Sequence, residues 1–181
     1  TLTYRAGNAF WNDSGKKYEF KGANNTIART LKAYQKIMAS DDAVLKGQLE
    51  KLAGSKNHHF VEASIKGKNS VQPYGIPDEN GGVGTQTQFD FSDAKKNEFK
   101  KLEGVEATDL STVTHELKHQ YDYEIGNTKD NKAYNDASDP SEIRAVNNEN
   151  RGRKIEKKQE RTTYGGKKID SDKLKNPPNN L

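Results

Sequence analysis

His115-Glu116-Leu117-Lys118-His119 sets two imidazoles four residues apart, with a carboxylate beside the first. On a helix, residues at that spacing lie one turn apart on one face, so both rings can reach a single cation. Glu116 then sits where its carboxylate can take the proton of a water attacking a peptide carbonyl. Zinc would lower the pKa of that water and polarise the carbonyl. The chemistry expected is metal-assisted hydrolysis of a peptide bond, with Glu116 as general base. The bland alternative is an exposed helix face with Glu116 solvated near Lys118. Against it, Leu110, Val113, Leu117, Tyr121 and Ile125 make an apolar stripe away from the histidines, as a packed, site-bearing helix would have.

A catalytic zinc normally takes three protein ligands and keeps one position open. The chain has no cysteine, so the third must be His, Asp or Glu. The remaining histidines, His58 and His59, flank an expected strand beyond a long loop. The metzincin pattern would put a ligand six residues after His119, where Ile125 stands. Thermolysin-type sites use a Glu from a following helix instead. Glu142 lies near the start of the next expected helix, and Ala145 one turn on would let that helix approach closely. Glu142 is therefore the expected third ligand. Glu149, two turns further, is the alternative ligand or an acceptor behind a ligand histidine, a role open to Asp122 as well. Tyr164, Tyr123, Arg144 and Arg161 are candidates to stabilise the oxyanion, with Tyr164 ranked first.

These residues need elements to hold them. Alternating aromatic and polar residues over 3–22, around Asn12-Asp13-Ser14-Gly15, predict a hairpin. Thr26 reads as the cap of a helix carrying Ile27, Leu31, Tyr34 and Met38, and 43–52 as a second helix. Strands are expected at 59–66 and 85–91, joined by a Gly/Pro/Asn-rich loop over 67–84. The 85–91 strand could hold an extended substrate by edge pairing, and Gly81-Gly82-Val83-Gly84 reads as a flexible approach to it. The site helix is expected over 108–125, capped by Thr108 or Asp109 and stopped by Gly126. A further helix is expected over 141–158, introduced by Asp139-Pro140.

Composition frames the rest. Only 30% of residues are hydrophobic and 31% are charged, so the core is lean; Trp11 and the phenylalanines 10, 20, 60, 89 and 91 supply its bulk. No apolar run is long enough to span a membrane. The net charge of +4 conceals an asymmetry, since 151–181 carries ten Lys or Arg against four Asp or Glu. Without interleaved aromatics this basic end reads as a solvated face or tail rather than a nucleic-acid surface. The competing reading is a non-catalytic module using it on an acidic partner or nucleic acid. The start at Thr1, with no charged-then-apolar leader, is read as a processed chain or a domain cut from a longer one. One domain is expected over 1–165, with a basic, polar tail over 166–181.

Two blocks, His115-Glu116-Leu117-Lys118-His119-Gln120-Tyr121-Asp122 and Glu142-Ile143-Arg144-Ala145-Val146-Asn147-Asn148-Glu149-Asn150-Arg151, resemble the NleD-like bacterial effector metallopeptidases. Gly81-Gly82-Val83-Gly84 leading into Phe89-Asp90-Phe91 is similar to their upstream segment, so the resemblance spans roughly 80–165. It implies an α+β, zincin-like domain with a small sheet packed against the helix bearing the two histidines. It also implies a Zn2+ cofactor, and secretion or delivery into a host or competitor cell where a specific protein is cut. A cognate inhibitor or immunity protein would be a second partner.

Overall fold

A computed structural model describes residues 1–4, 10–12, 17–19, 23–64, 67–131 and 136–175. In chain order the elements are β1 (Leu2–Tyr4), β2 (Phe10–Asn12), β3 (Lys17–Glu19), α1 (Ala23–Ala39), α2 (Ala43–Gly54), β4 (His59–Ala63), β5 (Ser70–Tyr74), β6 (Gly84–Phe89), α3 (Asp93–Glu103), α4 (Asp109–Glu124), α5 (Pro140–Ile155), β7 (Thr163–Tyr164), β8 (Lys167–Lys168) and α6 (Ser171–Lys175). The α+β class that the resemblance implies is what the chain adopts.

Four strands form one mixed sheet in the order β1-β4-β6-β5. β1 and β6 flank β4 in parallel, and β5 runs antiparallel to β6. The register sets His59 beside Thr85, Val61 beside Thr87 and Ala63 beside Phe89. These six residues are buried, whereas Gln86 and Gln88 between them are only half covered. That alternation is what a sheet covered on one face by helices requires.

The main core gathers Ala33, Tyr34 and Ile37 of α1 with Leu45, Leu49 and Leu52 of α2. Val61, Phe89 and Phe91 join them from the sheet side, and Leu110, Val113 and Leu117 from α4. Val113 and Leu117 are completely buried, so the apolar stripe of α4 faces the core and turns its histidines the other way, toward α5. A smaller cluster joins Ile143 and Val146 of α5 to Ile169.

Several expectations change. Within the proposed hairpin, β2 and β3 do pair antiparallel, but Leu2–Tyr4 leaves it for β4; residues 13–16 lie outside the described set. Thr26 is inside α1 rather than its cap, and its carbonyl accepts from the Thr30 hydroxyl at 2.9 Å. The 67–84 loop contains a strand, β5. Because β5 covers β6, the 85–91 strand is interior and cannot take a substrate by edge addition; the sheet edge on that side belongs to β5.

The 81–84 segment is clamped rather than flexible. Val83 N donates to Tyr123 O at 2.9 Å, and a Cβ on Gly82 would fall 2.3 Å from Glu124 O, so only glycine permits this approach to the end of α4. The limit expected at 165 falls in the β7–β8 turn. Beyond it Ile169 is 1% exposed in the second cluster, so 166–175 docks on the domain, held by the α5 face it covers. Residues 176–181 lie outside the described set, as do the side chains of Phe10, Trp11 and Phe20.

Candidate metal centre

The two helices that carry the site are fixed at their starts. Thr108 Oγ1 accepts from Ser111 N at 2.9 Å, and Ser111 Oγ accepts from Thr108 N at 2.9 Å, a reciprocal cap on α4. Asp139 Oδ1 accepts from Ser141 N and from Ser141 Oγ at 2.9 and 2.8 Å, and Pro140 opens α5. The helices then cross at close range. Ala145 is fully buried, Asn148 Nδ2 donates to Thr114 O at 2.7 Å, and a Cβ on Gly152 would stand only 2.4 Å from Thr114 Oγ1.

This crossing brings His115, His119 and Glu142 together, with their ligating atoms within 4.8 Å of one another. Glu142 Oε2 lies 3.2 Å from His115 Nε2 and 3.4 Å from His119 Nε2. Donors each about 2.0–2.1 Å from a tetrahedral ion stand about 3.3 Å apart, which both separations from Glu142 match. The histidine side chains keep 12% and 14% exposure, against 4% for Glu142, so the rings face the cleft and the carboxylate closes it from behind. The group can hold a metal ion.

Behind His115 stands Glu149, whose Oε2 is 3.2 Å from Nδ1. A hydrogen bond from Nδ1 leaves Nε2 as the free donor atom, the tautomer a ligand histidine requires. Glu149 is itself held by Arg153, whose Nε and terminal nitrogen reach Oε1 at 2.8 and 2.6 Å. Arg161 donates to Oε2 at 2.8 Å. With its oxygens committed in this way, Glu149 stands behind His115, and Glu142 is the carboxylate grouped with both imidazoles.

Charge within the site follows this geometry. Burial opposes protonation of His115, but the bonded carboxylates of Glu142 and Glu149 outweigh it and raise the imidazolium to about 10. His119 also moves upward, against burial, through Glu142. Glu142 moves below the usual carboxylate range because the imidazoles outweigh its burial. Glu149, buried but facing Arg161, His115 and Arg153, falls to about 2. Burial pushes Glu116 the other way, upward, against the attraction of the two histidines. A carboxylate made more basic in this way is suited to proton abstraction.

Tyr164 stacks on His115, with ring centroids 6.3 Å apart and planes 12° from parallel, and with His115 and Glu116 it lines both lobes of the cleft. On one side His115, Glu116 and Tyr164 meet Phe99, Leu102 and Ser111; on the other they meet Ser70, Val71, His119 and Tyr123. The remaining oxyanion candidates separate clearly. Tyr123 lines the second lobe. Arg144 does not reach the cleft: its guanidinium binds Asp122 Oδ2 and Asp130 at 2.8 Å each. Arg161 lines the first lobe, but its guanidinium is spent on Glu149 and Glu103.

Asp122 supports neither histidine. It faces Arg144 and Lys118, whose Nζ is 3.1 Å from Oδ1 in an ion-pair contact without hydrogen-bond alignment. His59 is buried under α4, between Thr85 Oγ1 at 2.9 Å and Glu124 Oε2 at 3.0 Å, and is no ligand. The Arg153–Glu149 pair was legible as an i, i+4 spacing; the reach of Arg161 back to Glu149, across the end of α5, has no local signature.

Among the described residues no helix is long and apolar enough to cross a membrane. No family model, curated protein or solved structure matches the chain.

Proposed function

We propose that the protein is a zinc-dependent endopeptidase with a zincin-like fold. The observation that carries this reading is the convergence of two imidazoles and one carboxylate, their ligating atoms within 4.8 Å of one another, with Glu116 beside them in the cleft. Two nitrogens and an oxygen from two helices suit zinc among the common divalent ions. His115, His119 and Glu142 would hold the ion, which when bound would supply Lewis acidity toward a peptide carbonyl and acidify water.

The chain's own residues do the rest. Glu116 takes the proton of the attacking water and returns it to the departing amine. The Tyr164 hydroxyl donates to the oxyanion that forms at the attacked carbonyl. The exposed edge of β5, whose Ser70 and Val71 line the second lobe, pairs with an extended peptide by strand addition. The resemblance of the 115–122 and 142–151 blocks to NleD-like effectors supports delivery into another cell as the setting, a specific protein there as the substrate, and a cognate inhibitor as a second partner.

A basic binding module is the weaker reading because two of the cations it would use are internal. Arg153 and Arg161 are 1% and 4% exposed and already neutralised by Glu149. The test joins metal analysis to cleavage profiling of a target-cell lysate for the wild type, Glu116→Gln and His119→Ala. The wild type should hold stoichiometric zinc and cut a defined protein. Glu116→Gln should keep the metal and lose roughly 10²–10⁴-fold in turnover, and His119→Ala should lose the metal. A wild type without stoichiometric zinc would end the proposal.

A further inference from the structure

We infer that Arg161 and Arg153 are positioning residues of the metal centre: together they hold Glu149 as the acceptor for His115 Nδ1 and keep that carboxylate from becoming a ligand. The inference rests on the metal-binding part of the reading above. A carboxylate offers roughly four acceptor directions, and Glu149 uses four. Oε1 accepts Nε and a terminal nitrogen of Arg153, while Oε2 accepts Arg161 and His115 Nδ1. Two guanidinium charges at this range also repel a cation from Glu149, whereas Glu142 Oε2 faces His115 Nε2 and His119 Nε2. The selection between two glutamates on one helix face is therefore made by the arginines.

Arg161 is itself held on every side. Its Nε donates to Thr163 O at 2.8 Å, and its second terminal nitrogen is 3.0 Å from Glu103 Oε1. Its backbone N and O bond the Asn150 side chain at 2.7 and 2.9 Å. The guanidinium lies over the rings of Phe99 and Tyr164, at 4.8 and 5.0 Å. Since Tyr164 stacks in turn on His115, contacts run in a closed circuit from Arg161 through Glu149 and His115 to Tyr164 and back. A flat fork that bonds in its plane and stacks on its faces can do this; an ammonium cannot.

The test is the zinc dissociation constant, measured by chelator competition for the wild type, Arg161→Met, Arg153→Met, Glu149→Gln and each arginine change combined with Glu149→Gln. Each single change should weaken zinc about 10- to 100-fold. In the Glu149→Gln background either arginine change should add little, because all act through one carboxylate. Thermal unfolding of the metal-free forms checks folding. Where a Met form does not fold, Arg161→Lys or Arg153→Lys, which keeps the charge and loses the fork, takes its place under the same criterion. Wild-type affinity in the arginine variants, or losses that multiply independently in the doubles, would overturn the clamp while leaving the zinc site standing. A wild type that binds no zinc overturns both.

Discussion

Gly152 of α5 crosses α4 at Thr114 so closely that a Cβ built on it would stand 2.4 Å from Thr114 Oγ1 and 2.9 Å from Cγ2. His115, His119 and Glu142 all lie on these two helices, so the separation at this crossing sets the spacing of the candidate ligands. Gly152→Ala should cost about 1–3 kcal/mol by overpacking, read as a lower urea midpoint, and should weaken zinc. Thr114→Ala removes both nearest atoms, so adding it should restore part of the lost stability. An alanine at 152 with unchanged midpoint and zinc affinity would contradict the tight crossing.

Proton linkage gives a second check. In the metal-free protein the His115 imidazolium, raised from 6.5 to about 10, contributes stability that is complete below pH 6.5 and is lost as pH climbs toward 10. Glu149, lowered from 4.5 to about 2, contributes stability present above pH 4.5 and lost as pH falls toward 2. The metal-free melting temperature should therefore be highest between pH 4.5 and 6.5. Zinc needs neutral imidazoles, so binding near pH 7 should release about one proton or more. Calorimetry in buffers of different ionisation enthalpy reads this directly, and buffer-independent heats would count against it.

The two buried arginines of α5 that bracket the site should behave differently. Arg144 joins Asp122 to Asp130 away from the cleft, so Arg144→Met should cost about 3–5 kcal/mol by stranding a buried carboxylate while zinc affinity in the folded fraction stays near wild type. Arg153→Met should change zinc affinity. Chemical denaturation and zinc titration of both variants give the comparison; a large zinc defect in Arg144→Met would mean that the α4–α5 frame transmits more than packing.

Tyr164→Phe keeps the stack on His115 and removes the hydroxyl. If that hydroxyl meets the oxyanion, kcat should fall by roughly 10²-fold or more with KM little changed. A fall confined to KM would assign the ring to substrate binding instead.

The site was more legible than the frame around it. The histidine pair, the Asp139-Pro140 start and a cap at Thr108 or Asp109 are local patterns, of which Thr108 is the cap the chain uses; Glu142 was reached through the helix expected next, not through a pattern of its own. α3 went unseen because Asp93–Glu103 buries little and so shows no apolar stripe, although Ser92 caps it and Gly104 closes it in the left-handed region. β5 hid in a stretch rich in Pro, Gly and Asn, because an edge strand does not need a continuous apolar run. The pairing of β1 with β4 joins segments more than fifty residues apart, and nothing in either segment names its partner. Arg144, Arg161 and Asp122 were assigned by residue type, whereas their roles depend on which opposite charge the fold brings within reach.

β5 has one further consequence. Pro73 lies within it, opposite Thr85, and proline has no N–H to offer along a sheet edge. An incoming extended segment finds only a short ladder around Ser70, Val71 and Gln72 before a donor is missing. On the proposed function, a peptide passing Glu116 would need only those few bonds, whereas a second copy's strand would need a longer run to add itself to the sheet. The interruption keeps an open edge from becoming a seed for self-association.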